Sequence, residues 1–196
     1  MAVRSSLALV LLALVTACSS APEDDPRSGS PKVADTMGAP IPVSATPPPV
    51  LLASFEPASA DCNGWIADGA RSIRSVPPRT GTYACKLCAD GSREEIAIAR
   101  DVGPVEAGRY VLTAWTRKRP QNPAPATTIA TLEAVTGAGV VVAGTNAVTV
   151  REEWDRLEAT IDVPEGASAL RVRIGSPLVE SEQCVLIDDV LIERAR

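Results

Sequence analysis

Apolar and polar residues alternate with a period of two along most of the chain beyond residue 50. Within residues 156–163, for example, Leu157, Ala159 and Ile161 share one face of an extended chain, and polar residues take the other. Such alternation is typical of half-buried β-strands, because successive side chains in a strand point to opposite faces of the sheet. The pattern predicts strands at residues 51–56, 82–89, 94–102, 109–117, 127–135, 140–143, 147–150, 156–163, 169–175 and 184–193.

Turns rich in glycine and proline separate the predicted strands, and no segment shows the periodicity of an amphipathic helix. Many short strands joined by such turns are typical of a β-sandwich or jelly roll, in which two antiparallel sheets pack face to face. We therefore predict one all-β domain over residues 51–196. No repeat of 20–50 residues divides it.

The first 17 residues have a different pattern, with the single charged residue Arg4 and then an apolar run from Leu7 to Val15. This is typical of a secretory signal peptide, and the run is too short to span a bilayer as a helix. It ends in Val15-Thr16-Ala17-Cys18, which resembles the bacterial lipobox. That resemblance implies cleavage before Cys18 and acylation of the cysteine with fatty acids such as palmitate, so a signal peptide is predicted over residues 1–17.

The alternative is an ordinary signal peptide that is cleaved near Ala17 or Ala21. The residue after Cys18 is Ser19 rather than aspartate, which by resemblance to Gram-negative lipoproteins favours the outer membrane. Residues 18–50 then form a linker, and eight of the chain's 17 prolines lie in it. Because such a segment buries too little apolar surface to offset its ordering entropy, we expect a disordered, extended tether.

Composition excludes several classes of function. The chain contains no histidine, which removes the Ser-His-Asp and Cys-His triads and the usual catalytic zinc sites. Its net charge of −5 argues against nucleic acid, which requires a basic face. Paired carboxylates remain as candidate catalysts, but none has the setting of a buried pair, so no enzymatic activity is expected.

The order of the landmarks along the domain carries a family resemblance. In sequence these are Phe55-Glu56, Trp65, the turn Gly81-Thr82-Tyr83, Gly108-Arg109-Tyr110, Trp154, Pro164-Glu165-Gly166-Ala167 and Asp188-Asp189-Val190. The ordered set resembles the jelly-roll carbohydrate-binding modules of the galactose-binding-like superfamily, which are attached to many cellulases and xylanases. The resemblance implies a module that binds a polysaccharide without catalysis.

The resemblance also implies one structural Ca²⁺. Its ligands would be Glu56, Asp188 or Asp189, and backbone carbonyls at the turn of residues 81–83. Calcium takes six to eight hard oxygen ligands, which fits this set. Because adjacent strand residues face opposite sides, we expect one of the two aspartates to coordinate. The alternative is an acidic pair that caps the end of a sheet.

The sugar-binding face is expected around Trp115, which alternation places outward together with Arg117. If the family's strand order holds, the outward residues Arg171 and Arg173 lie across the same sheet. The four residues would then form a groove with one aromatic platform and guanidinium groups suited to carboxylates, so an acidic glycan such as a uronate polymer is expected. The alternative is that Trp115 covers an edge and the arginines form a solvated face.

Four cysteines remain in the domain: Cys62, Cys85, Cys88 and Cys184. An oxidising compartment predicts two disulfides. Cys85 and Cys88 lie three apart in a predicted strand, about 10 Å from each other, and therefore take different partners. The pairings 62–85 with 88–184, and 62–88 with 85–184, both stay open on this ground. The family's arrangement of strands at the calcium site implies the first.

These observations predict a monomeric lipoprotein, lipid-anchored to the bacterial envelope, that binds a polysaccharide. The alternative is a structural or protein-interaction domain of the same fold, with an envelope protein as its partner. The low aromatic content, 3%, favours that alternative, because sugar-binding modules stack rings on pyranose faces.

Overall fold

The computed structural model describes residues 49–56, 61–62 and 64–195, without the side chains of residues 70–74 and 93. The predicted signal peptide, the lipidated Cys18 and nearly all of the predicted linker lie outside these residues. The chain from Ser44 to Arg196 forms one compact unit. The described residues form eleven strands and no helix, so they contain no helix of the length and hydropathy that a membrane crossing needs.

The strands are numbered in chain order. They are β1 (Leu51–Ala53), β2 (Ile66–Asp68), β3 (Ala70–Ser75), β4 (Ala84–Ala89), β5 (Arg93–Val102), β6 (Gly108–Lys118), β7 (Thr127–Thr136), β8 (Gly139–Thr149), β9 (Asp155–Val163), β10 (Ala169–Val179) and β11 (Cys184–Arg194).

Two antiparallel sheets make up the domain. Sheet A has the strand order β3-β4-β11-β6-β9, and β1 pairs with β11 beside this path. Sheet B has the order β2-β5-β10-β7-β8. This arrangement confirms the predicted all-β sandwich of jelly-roll type.

The core lies between the sheets, and it is built by the alternation that predicted the strands. In β9 the exposure alternates residue by residue, with the apolar side chains buried and the polar ones exposed. Each large aliphatic side chain that is fully buried contributes about 1.5–3 kcal/mol. Such side chains come from both sheets and include Leu87, Leu112, Leu157, Ile187, Ile98, Leu132 and Ile174.

The segment predicted as two strands, residues 140–143 and 147–150, is the single strand β8. Gly144 interrupts the sequence pattern but not the strand. A Cβ at this position would lie 2.3 Å from the carbonyl oxygen of Thr160, so only glycine allows β9 to approach this closely. The strands β2 and β3 had not been predicted.

Both disulfides of the first pairing are present. Cys62–Cys85 ties the segment before β2 to β4. Cys88–Cys184 joins two directly opposed residues of β4 and β11. The pairing implied by the family resemblance is therefore confirmed, and each bridge is worth about 2–4 kcal/mol of stability.

Candidate functional site

Trp115 lies on the outer face of sheet A, as alternation predicted, because its neighbours Ala114 and Thr116 are buried in the interior. The ring is half-buried, and the guanidinium carbon of Arg79 lies 3.8 Å from its centroid. Arg117, two residues further along β6, stands 5.6 Å from the ring centroid of Trp154. A guanidinium group therefore covers the ring face on which a sugar would stack.

Arg171 and Arg173 lie on the outer face of sheet B, because β10 belongs to that sheet. β6, which carries Trp115 and Arg117, belongs to sheet A. Outward side chains of two stacked sheets point in opposite directions. The expectation of one groove formed by all four residues is therefore wrong: Trp115 and Arg117 lie on one face of the sandwich, and Arg171 and Arg173 lie on the opposite face.

The outer face of sheet B contains a groove of about 640 Å³. Strands β2, β5 and β10 supply most of its wall. The lining residues are Gly64, Ile66, Ala67, Asp68, Ala99, Arg100, Asp101, Arg171 and Arg173. These residues include no aromatic ring, and they include the apolar Ile66, which is 74% exposed.

Arg171 is held by Asp101, its directly opposed neighbour on β5. Its Nε and Nη2 atoms donate to the two carboxylate oxygens at 2.8 and 3.2 Å. This charge-assisted pair lowers the pKa of Asp101 below its usual value and raises the pKa of Arg171. Because the pair is exposed, it contributes little to stability; its effect is to fix the orientation of both groups.

Arg173 is held by two carboxylates. Its Nε and Nη2 atoms donate to Glu95 at 3.2 and 2.8 Å, and Nη2 also donates to Asp68 at 3.0 Å. Hydrogen bonding to Glu95 is the largest cause of a raised pKa at Arg173. The three side chains thus form one hydrogen-bonded polar cluster across β10, β5 and β2 on the surface of the groove.

With Glu95, the groove holds three guanidinium groups and three carboxylates, so its charges balance. The arginines supply planar N–H donors and the carboxylates supply acceptor oxygens. A polyhydroxylated ligand needs both kinds of partner, because each hydroxyl donates one hydrogen bond and accepts others. The groove is therefore suited chemically to hydroxyl groups.

The carboxylates expected to bind calcium reach the segment of residues 79–83, but they accept hydrogen bonds from different N–H and O–H groups along it. Asp188 accepts from the backbone N–H of Arg79 at 2.7 Å and of Thr80 at 3.3 Å. Asp189 accepts from the guanidinium of Arg79 and the hydroxyl of Thr80, each at 2.6 Å. Glu56 accepts from the backbone N–H groups of residues 82 and 83 at 2.6 and 3.1 Å.

Both aspartates face this segment, contrary to the expectation that only one would. The pairing of β11 with β6 shifts between Asp188 and Leu191, and Asp189 has a φ of 45°. A bulge of this kind re-aims a side chain that regular alternation would send to the other face.

This arrangement does not fit a calcium ion. The carboxylate oxygens take N–H and O–H donors, and the Arg79 guanidinium lies where a second cation would be repelled. Among the residues that the structure describes, no group of three or more candidate ligands gathers.

Burial is the main cause that raises the pKa of Asp188 to about 6; the charge of Asp189 adds to it, and the backbone N–H groups oppose it.

Sequence reasoning missed the acidic partners of the groove. Glu95 and Asp101 stand on the outward face of β5, in line with Ala97 and Ala99, so alternation within that strand would have placed them together. Asp68 lies on a three-residue strand that is too short to show a pattern. Arg79 lies in a turn, where no periodicity exists.

Comparison with solved structures defines the class of fold. The CBM22-1 xylan-binding domain from Paenibacillus barcinonensis Xyn10C aligns with a TM-score of 0.60 at 17% identity, covering 76% of this chain and 96% of that domain. The C-terminal family 22 carbohydrate-binding module of Clostridium thermocellum Xyn10B gives 0.56 at 16% identity, covering 75% and 94%. TmCBM61, solved with β-1,4-galactotriose, gives 0.55 at 19% identity, covering 72% and 94%.

These likenesses establish the fold as the jelly-roll sandwich of carbohydrate-binding modules, as the sequence resemblance implied. No protein-family model matches the sequence, and no curated protein matches it.

Proposed function

We propose that the domain is a non-catalytic carbohydrate-binding module that holds a polysaccharide in the groove of sheet B. The observation that carries this proposal is the groove itself, which has a volume of about 640 Å³ and is lined by hydrogen-bond donors and acceptors held in fixed orientations. The fold is shared with a xylan-binding module and with a module solved with β-1,4-galactotriose. Grooves that bind small molecules commonly place a few polar groups beside apolar surface. Here Ile66 and Ala99 supply the apolar part.

The charge of the groove favours a neutral glycan rather than the acidic one expected from sequence. Arg171 and Arg173 already bind carboxylates through Nε and Nη2. A uronate would therefore have to displace Asp101 or Glu95 and would meet their negative charge. Hydroxyl groups of a neutral sugar can instead bridge the remaining N–H donors and the carboxylate oxygens.

The test is affinity electrophoresis of residues 44–196, the compact unit that contains both disulfides. The gels contain xylan, a β-1,4-galactan or polygalacturonate. We expect at least one neutral polymer to retard the protein and polygalacturonate to leave it unretarded. Retardation by polygalacturonate alone would contradict the proposed preference, and retardation by none would remove the proposed function.

Variants locate the site. Arg173→Gln and Asp101→Asn should each weaken binding by about 10- to 100-fold, since a hydrogen bond to a charged group is worth about 1.5–3 kcal/mol. The matched control is Arg109→Gln, because Arg109 makes the same two-bond pair with Asp162 on the outer face of sheet A. Trp115→Phe should also leave binding unchanged.

We further propose that the module is displayed at the bacterial envelope on lipid attached to Cys18, with residues 19–50 as its tether. Several acyl chains on one residue give durable anchoring, because each buried CH₂ contributes about 0.8 kcal/mol. Metabolic labelling with a palmitate analogue should mark the full chain and be lost in Cys18→Ser. An unlabelled wild-type chain in the soluble fraction would support the ordinary signal peptide instead.

One observation favours the alternative, a structural or protein-interaction domain: the groove lining contains no aromatic ring for stacking. This alternative predicts no retardation by any polysaccharide. It also predicts co-purification of the full chain with an envelope protein after cross-linking in cells.

A further inference from the structure

Strand β8 forms one edge of sheet B, because among the described residues it pairs with β7 alone. It is 11 residues long, and its sequence GVVVAGTNAVT contains neither a charged residue nor a proline. Two of its valines, Val140 and Val141, are 50% and 49% exposed. A long, uncharged edge strand presents unpaired backbone groups that can pair with another strand.

The other edges of the sandwich are protected in the usual ways. β9, the edge of sheet A, carries four charged residues in its sequence DRLEATIDV, and the N–H of Glu158 donates to Asn146 Oδ1 at 3.2 Å. The opposite edges are β2, with three residues, and β3, whose sequence ARSIRS contains two arginines. Short strands and charged residues prevent edge-to-edge pairing. β8 has neither protection.

The hydrogen-bond register shows which backbone groups of β8 are free to pair. The N–H of Val150 donates to the carbonyl of Ala126 across the continuation of the β7–β8 ladder. In an antiparallel ladder, hydrogen-bonded and non-hydrogen-bonded pairs alternate. From Val142 to Val148, on the Val150 side of the bulge at Val141, the backbone groups of the even-numbered residues of β8 therefore face β7. Those of the odd-numbered residues face outward from the sheet edge: Ala143, Thr145, Ala147 and Thr149.

We infer that β8 is a self-association edge, where a second copy of this chain pairs antiparallel about a two-fold axis at Thr145. This register opposes each Thr145 to its own copy and Ala143 to Ala147. These residues have outward-facing backbone groups and small, neutral side chains, so the strand is complementary to itself up to the bulge at Val141. No like charges meet across the axis, as they would if β9 paired with itself.

The pairing joins two copies of sheet B into one continuous ten-stranded sheet. Because opposed side chains in an antiparallel pair lie on the same face, the two outer faces of sheet B point the same way. If the proposed function holds, one polysaccharide chain can engage both grooves, and the second contact forms at a high effective concentration. The pairing itself does not depend on sugar binding.

Cysteine cross-linking of residues 44–196 tests the register. In the proposed dimer the two copies of residue 145 are a hydrogen-bonded pair with a Cα separation of about 5.5 Å, within reach of a disulfide. Thr145→Cys should therefore form a covalent dimer on mild oxidation. Thr149→Cys is the matched control, since its two copies lie about 27 Å apart at ~3.4 Å per residue. Equal cross-linking of the two variants, or none at residue 145, would overturn the inference.

Sedimentation velocity at increasing concentration supplies a second readout. The wild-type unit should show a growing dimer fraction, which Thr145→Lys should abolish because two ammonium groups would meet on the axis. The control Thr160→Lys places the same charge on the exposed edge strand β9 and should leave the dimer intact. A wild type that sediments as a monomer throughout would refute the inference and uphold the monomer expected from sequence.

Discussion

At the level of single residues, Asp188 combines complete burial with hydrogen bonds from three backbone N–H groups, those of Arg79, Thr80 and Asp189. Burial disfavours the charged form, and the N–H groups favour it. Burial prevails, because the pKa is raised to about 6. The backbone N–H groups of residues 79 and 80 are thus hydrogen-bonded to a carboxylate whose ionisation at neutral pH destabilises the folded state.

This balance predicts a pH dependence of stability. Between about pH 4 and pH 6 the folded chain holds a proton on Asp188 that the unfolded chain has released, so the free energy of unfolding falls as the pH rises through this window. Relative to Asp188→Asn, the wild type should therefore be more stable at about pH 4.5 than at neutral pH, by about 1–3 kcal/mol. The thermal midpoint of the wild type minus that of the variant should be correspondingly higher at the lower pH. Circular dichroism melting measures it.

The same melting curves in calcium and in chelator provide the control. We expect them to coincide, because Glu56, Asp188 and Asp189 already accept N–H and O–H donors. A rise in the midpoint with calcium, lost in Asp188→Asn, would restore the calcium site implied by the family. A difference between wild type and variant that does not change with pH would contradict the raised pKa.

At the level of elements, the close approach of β8 and β9 depends on Gly144. A Cβ there would meet Thr160 O at 2.3 Å and Ile161 Cγ2 at 2.7 Å, and the backbone atom has no freedom to move aside. Gly144→Ala should destabilise the domain by about 1–3 kcal/mol, as over-packing does. Gly137→Ala is the control, since nothing lies within 4 Å of its added Cβ. Equal urea midpoints for both variants would contradict this account.

Alternation was enough to predict which side chains of each strand face the core, and hence the sandwich. It could not predict the partner of a strand in its sheet. Trp115 and Arg171 are both outward, and only the assignment of β6 to sheet A and β10 to sheet B separates them. That assignment depends on contacts between residues far apart in the chain, which a local period of two does not contain.

The bulge in β11 could not be predicted from the sequence either, because the period-two pattern does not show where a strand departs from regular pairing. Asp188 and Asp189 read as two successive strand residues, which would face opposite sides. The left-handed backbone of Asp189 brings both to one turn. The disulfide pairing could be predicted more fully. The spacing of Cys85 and Cys88 left two pairings, and the family's strand order selected between them.

At the level of the whole molecule, the two faces of the sandwich differ in chemistry. The outer face of sheet A places guanidinium groups against Trp115 and Trp154. The outer face of sheet B offers a groove in which Arg171 and Arg173 are fixed by carboxylates. We therefore propose that the second face, and not the tryptophan face, binds a neutral glycan.

Amide chemical-shift mapping by NMR shows which of the two faces holds the ligand. Residues 44–196 are titrated with oligosaccharides of the neutral polymer that retards them most. We expect shifts clustered at Ala99, Asp101 and Arg171 on sheet B, which disappear in Arg173→Gln. Shifts clustered instead around Trp115 and Arg117, or no shifts with any xylan or galactan oligosaccharide, would contradict binding in the groove of sheet B.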